Sequence, residues 1–185
     1  MHYTKKHHQG FTIVELLIVI VVIAILATIT IVSYTGVQDR ANDVRRQSDV
    51  NTITKTLEMY RISNGVYPTD IIAPVSPLPY SGWEFSLQDN FLSALRDIAG
   101  VSTPVDPVNN TIRYYRYHLY NAGEFGCDAS KGKFYVLQVI NENNKDPNAW
   151  LKKQSPGFAC SGRDWSLLGT GGIQIMYTVG AFVGY

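Results

Sequence analysis

Glu15 is the residue whose chemistry most needs a reason. It stands four positions after Phe11, inside the run Gly10-Phe11-Thr12-Ile13-Val14-Glu15-Leu16-Leu17-Ile18-Val19-Ile20, which stays almost wholly apolar to about Val32. A lone carboxylate near the end of a membrane helix is costly unless it is paired or lies at an interface, so it marks function by default. The natural answer is a cation. Opposite charges in a low-dielectric core attract strongly, and each offsets the other's desolvation. The other reactive residue types are sparse. Cys127 and Cys160 are the two cysteines, far from the apolar run. They suit one disulfide in an oxidising, extracytoplasmic compartment, with two free thiols as the alternative, and they are too few for a zinc framework. His118 is the one histidine beyond the first ten residues, and no Ser or Cys nucleophile context accompanies it. No catalytic triad, phosphate loop or paired-carboxylate signature is present, so the chain reads as no enzyme, with no cofactor and no metal set.

The elements that place Glu15 are legible from hydropathy. An apolar run of about 20 residues can cross a hydrocarbon core about 30 Å thick as a helix. Lys5 and Lys6 precede it, and positive charge on that flank keeps the N-terminus cytoplasmic. A plain signal anchor with an incidental Glu15 is the alternative. A cleaved secretory signal fits less well, because it needs a shorter apolar region followed by a small-residue cleavage site. From Val37 to Ser63 the helical pattern continues with a changed stripe. Val37, Ala41, Val44 and Ser48 share one face, and Val50, Ile53, Leu57 and Tyr60 share nearly the opposite one. The first face is expected to meet other subunits and the second the chain's own sheet. A slightly bent helix wrapped by one domain is the other reading. Asp39, Arg40, Asp43, Arg45, Arg46 and Asp49 form a mixed-charge belt, expected to be a solvated face. Gly65 suits a left-handed cap. Phe11 to Asn64 would span about 80 Å as one helix, too long for an ordinary globular element.

These residues resemble the type IV pilin superfamily, which includes pilins, competence pilins and the pseudopilins of type II secretion. Its pattern is a basic leader ending in Gly, a Phe that becomes the mature first residue, Thr next, Glu at the fifth position, and a hydrophobic helix. Gly10, Phe11, Thr12 and Glu15 stand in those places. The resemblance implies that a prepilin peptidase cuts between Gly10 and Phe11 and that Phe11 is then N-methylated, which keeps its charge. It also implies that Glu15 meets the Phe11 ammonium as a registry device during assembly. Leu57 to Pro68 is similar to the Asn-Gly, x-Tyr-Pro junction of the same family. Many members have a Pro where this chain has Val32. A continuous helix is expected in the monomer, with local extension around Ala27 to Gly36 in a filament as a weaker expectation.

The rest of the chain reads as a small head. Pro68, Pro74, Pro77 and Pro79 make a stiff connector. Asp89 or Asn90 is expected to cap a short helix through Phe91, Leu92, Leu95 and Ile98, ended by Gly100. Asp106-Pro107 reads as an Asx-type turn. It resembles an element of major pseudopilins, whose acidic, calcium-binding loop is not recognisable here. Strands are expected over Ile112–Asn121, Lys133–Asn141 and Gly172–Val183, and a capped helix over Asp146–Lys152 with Pro147 at its first position. On the first strand Tyr115, Tyr117 and Leu119 share one face, and Tyr114, Arg116, His118 and Tyr120 the other. Such aromatics with Arg and His can grip DNA or glycan by stacking. The plainer expectation is one face on the long helix and the other a partly exposed sheet surface.

A Cys127–Cys160 disulfide, similar to the C-terminal loop of pilins, would stabilise by roughly 3–4 kcal/mol on chain-entropy grounds. The 185 residues allow an anchor and one modest domain, and a formal net charge of +1 gives no reason for bulk nucleic-acid binding. The expected fold is α+β: a long N-terminal helix, membrane-spanning in its first half, packed on a small antiparallel sheet. The expected layout is a leader (1–10), a membrane and filament-core half-helix (11–34), an outer half-helix (35–64) and a head (65–185). The resemblance implies a homo-oligomeric filament, a prepilin peptidase, a platform protein and an assembly ATPase as partners. It also implies lipid contact before assembly, with the mature form in an extracellular filament. A secretion or DNA-uptake pseudopilin, and a tip-located adhesin or DNA-binding minor pilin, are the competing functions.

Overall fold

The computed structural model describes residues 11–69, 82–100, 102–167 and 173–184. The leader with Gly10, the connector prolines 74, 77 and 79, and most of the glycine-rich stretch before the last strand lie outside the described residues. Helix α1 runs unbroken over Ile13–Asn64, 52 residues, as the continuous pattern requires. Its C-terminus closes on Gly65 at φ 76, whose N–H donates to Arg61 O at 2.7 Å. The left-handed residue there is what a helix cap asks of glycine. The chain divides into two compact units, Met1–Ala41 and Asn42–Tyr185.

In the second unit four strands form an antiparallel sheet in the order β1-β2-β3-β6: β1 Glu84–Phe85, β2 Arg113–Tyr120, β3 Phe134–Asn141 and β6 Ile175–Phe182. β2 and β3 pair from Arg113↔Asn141 to Tyr120↔Phe134. β6 pairs with β3 from Phe134↔Phe182, with a bulge at Val139/Ile140. A separate hairpin joins β4 Ala159–Cys160 to β5 Arg163–Asp164. One sheet face packs on α1. Val50, Ile53 and Leu57 are buried in one cluster with Tyr115, Tyr117, Tyr135, Leu137 and Val139. The second of the two helix stripes therefore covers the sheet, while Val37 and Val44 of the first stay exposed.

Three expectations are corrected. The opposite sheet face is not exposed: Tyr114, Arg116 and Tyr120 are buried. Phe85, Ile173 and Ile175 cover one part of that face, and Trp165, Phe158 and Cys127 cover another. Of these, Phe158 and Trp165 lie in segments without strand or helix periodicity. The helix expected from Asp89 or Asn90 forms only as a 3-10 turn, Ser93–Leu95, followed by α2, Arg96–Ala99, with no side-chain cap. Leu92 sits at φ 46 because its N–H is drawn to the buried Glu84 carboxylate at 3.1 Å, which breaks the helical path. The helix expected at Pro147 begins instead as α3, Trp150–Gln154. Asp146 accepts the Asn148 N–H at 2.8 Å, and that Asx turn occupies the residues a helix start would need.

Candidate assembly site

Thr12 and Glu15 form the start of α1 together. The Thr12 hydroxyl oxygen accepts the Glu15 N–H at 3.2 Å. In return Glu15 Oε2 accepts the Thr12 N–H at 2.9 Å and its hydroxyl at 2.6 Å. This is a capping box, the Thr-x-x-Glu arrangement that satisfies two orphan donors reciprocally. A carboxylate in the first turn is also favoured by the helix dipole. The Thr12-Glu15 spacing is visible in the sequence, where it registers only as part of a motif. The box uses one carboxylate oxygen twice. Among the described residues, Oε1 accepts no hydrogen bond, so one carboxylate oxygen of Glu15 stays open.

Beyond the cap lies an apolar sleeve. Phe11 is 90% exposed, and the large apolar side chains from Ile13 to Ile29 are 47–84% exposed on all sides of the helix. The Thr28 hydroxyl returns its hydrogen bond to Ala24 O at 2.8 Å, so it asks nothing of water. A helix apolar all round belongs in lipid or in a protein core, and exposure on this scale marks an interaction surface. Among the described residues, no helix is long and apolar enough to cross a membrane. The side chains described in the sleeve end at Ile29, which leaves about 25 Å of helix from Ile13.

At the head's edge the charge belt departs from expectation. Arg46 is 2% exposed, not solvated. Its guanidinium holds Asp106 through Nε at 2.7 Å and Nη2 at 3.2 Å, and Asp43 through Nη1 at 2.8 Å. Burial works to lower its pKa, but Asp106 and Asp43 outweigh burial and hold it above the ordinary arginine value. Asp106 also accepts the N–H groups of Val108 and Asn109 at 2.9 and 3.3 Å. The expected Asx-type turn is therefore present, with an ion pair added. One helical turn on, the Tyr115 hydroxyl donates to Asp49 at 2.9 Å. Burial raises the Asp49 pKa, against the opposing pull of Tyr115 and Arg45.

The remaining candidates are placed away from this region. His118 packs on Trp83 and Tyr120 and contacts Gly82 O. Burial lowers its pKa. Arg116 lies 4.3 Å from the Trp83 ring centroid and donates to Gln138. The aromatic and cationic face of β2 is thus spent on internal packing, which removes the observation that motivated a stacking site for DNA or glycan there. Cys127 and Cys160 are joined in a disulfide. Among the described residues, no cluster of three or more His, Cys, Asp or Glu could hold a metal ion.

The prokaryotic N-terminal methylation motif matches residues 5–31, the segment that carries the capping box and most of the sleeve. The type IV wide pilus major component of Thermus thermophilus is 41% identical over 71 residues, 38% of this chain and 54% of that protein. Type II secretion system core protein G of Escherichia coli is 28% identical over 132 residues, 69% of this chain and 81% of that protein. The chain is thus similar, over its N-terminal helix above all, to pilins and to type II secretion pseudopilins of the type IV pilin superfamily. The Aeromonas hydrophila core protein G is 34% identical over 65 residues, 35% of this chain and 46% of that protein. The chain spans about half the length of several curated relatives it matches. No solved structure matches it significantly.

Proposed function

We propose that this chain is a structural subunit of a type IV pilus-like filament. It is stored in a membrane as a prepilin, cut after Gly10, N-methylated at Phe11 and polymerised through its apolar helix. The observation that carries this reading is the sleeve. Every large apolar side chain described from Ile13 to Ile29 faces outward, and Glu15 is the one charge among them. In this reading residues 1–10 are the leader and 11–34 the membrane and filament-core half of the helix. Residues 35–64 are its outer half and 65–185 the head. The described sleeve is slightly shorter than a hydrocarbon core, and the sequence extends it through Ile31 and Val32. The N-terminus stays cytoplasmic and the head faces outward. On insertion the sleeve moves from lipid into a bundle of like helices. Glu15 Oε1 then meets the Phe11 ammonium, and a subunit placed one register step away leaves both charges unpaired. A membrane prepilin peptidase and an inner-membrane platform protein act on the chain, and an assembly ATPase drives the filament from the cytoplasmic side.

Mass and N-terminal analysis of protein sheared from the cell surface tests this. Recovery of a chain beginning at N-methyl Phe11 is the expected result. A chain found only in membranes and still carrying residues 1–10 would reduce it to an anchored protein. A pseudopilin of a type II secretion machine is the second reading, favoured by the 69% of the chain that aligns with the Escherichia coli core protein G. Processed chain confined to the envelope, and absent from sheared filaments, would favour it.

A further inference from the structure

The loop before the disulfide carries an unusual backbone, and its Phe125 ring meets Tyr120 and Trp165 in T-shaped contacts at 5.5 and 5.6 Å. Phe125 is left-handed (φ 52, ψ 31), between Gly123 and Gly126, which are also at positive φ. A bulky residue in that region is a strained outlier. The strain is held in place by the β4–β5 hairpin. Cys127 is joined to Cys160, the Gly162 N–H donates to Phe125 O at 3.0 Å, and the Ser161 hydroxyl donates to Gly126 O at 2.9 Å. A Cβ on Gly162 would lie 2.6 Å from Phe125 O, so the two backbones are in contact. This rigid frame does not bury the Phe125 ring, which stays 43% exposed.

Arg163 lies over that ring. Its Cζ is 5.1 Å from the Phe125 centroid and 5.7 Å from that of Trp165. Among the described residues, no carboxylate or carbonyl accepts a hydrogen bond from its guanidinium. The acids adjoining Phe125 and Arg163 in sequence are otherwise engaged: Glu124 accepts from Asn121, and Asp164 accepts the Ser166 N–H. A planar cation is therefore held in position with its donor edge unanswered, beside a half-exposed aromatic face.

We propose that Phe125 and Arg163 form a binding tip for a uronate residue of an acidic polysaccharide. The sugar carboxylate takes the guanidinium fork, and the C–H face of the ring lies on Phe125. A hexuronate offers both features in one rigid unit, whereas an acidic peptide side chain offers only the carboxylate. A single cation, with Asp164 next to it and Glu124 next to Phe125 in sequence, gives no multiple phosphate contacts, which disfavours nucleic acid.

The test is ligand-observed saturation-transfer NMR on the full chain in detergent micelles. The probes are D-glucuronate, D-glucose, N-acetylglutamate and a thymidine oligonucleotide. Transfer to the glucuronate ring protons is expected, with glucose and N-acetylglutamate weaker by about tenfold or more. Arg163→Lys keeps the charge but loses the fork, and should weaken glucuronate by about tenfold. Phe125→Gly suits the left-handed backbone, so the head should stay folded while glucuronate binding is lost. Four results would overturn the proposal: no transfer to glucuronate, equal binding of glucose, stronger binding of N-acetylglutamate or the oligonucleotide, or glucuronate binding unchanged in both variants.

Discussion

A buried guanidinium is tolerated only where its donors are met, and Arg46 meets two carboxylates, Asp43 three residues before it and Asp106 60 residues after it. Truncating it leaves Asp106 buried and unpaired. Arg46→Ala should therefore cost the head about 3–5 kcal/mol in chemical denaturation followed by tryptophan fluorescence. The double variant Arg46→Met with Asp106→Leu removes both charges and should recover much of that loss. Asp49 gives a pH signature. Its pKa is raised in the folded head by burial, so its ionised form destabilises the fold above that pKa. The penalty disappears as pH falls through the raised pKa toward the ordinary carboxylate range. Denaturation of the parent and Asp49→Asn across the acid range should show the parent gaining on the variant as pH falls. An unchanged difference would mean that the Tyr115 hydroxyl leaves Asp49 no net cost.

Among the elements, the start of α1 depends on one hydroxyl. Thr12→Ala removes an acceptor for the Glu15 N–H and a donor to Glu15 Oε2. Faster amide exchange at Ile13 to Glu15 is the expected outcome by hydrogen-exchange mass spectrometry, with the head unaffected. The outer cover of the sheet depends on the disulfide in a similar way. Cys127→Ser with Cys160→Ser should cost roughly 3–4 kcal/mol, read as a lower denaturant midpoint. The contrast between these elements explains what was legible. Val50, Ile53 and Leu57 announce their burial by helical spacing, and β2, β3 and β6 by alternation. Arg46 sits among like-looking charges, and its partner is distant in sequence, so local pattern reads it as solvated. Trp165 and Phe158 lie in segments with no period, so the cover they form over Tyr120 has no sequence signature. Thr12 and Glu15 register in the sequence only as part of a motif, and the capping box with its open oxygen appears in the geometry.

On the scale of the molecule, the division at Ala41/Asn42 separates the exposed sleeve from the residues that make the head's own contacts. Arg46, Val50, Ile53 and Leu57 all fall in the second unit. A chain of residues 42–185 should therefore fold and remain monomeric without detergent. In vesicle flotation it should stay in the aqueous fraction, while the full chain floats with lipid. Aggregation of residues 42–185 would show that Val44, Met59 and Ile62, exposed on the outer helix face, are themselves sticky enough to drive association.

The head is fastened to its helix at two places along α1. Arg46 grips Asp106 near one end of the shared length. At the other end Arg61 donates to Val183 O at 3.0 Å, just past the end of β6. Tension pulled along α1 would thus reach the head through the Asp106 loop and the end of β6 together, and not through one contact alone. A subunit fastened in this way is suited to bearing traction.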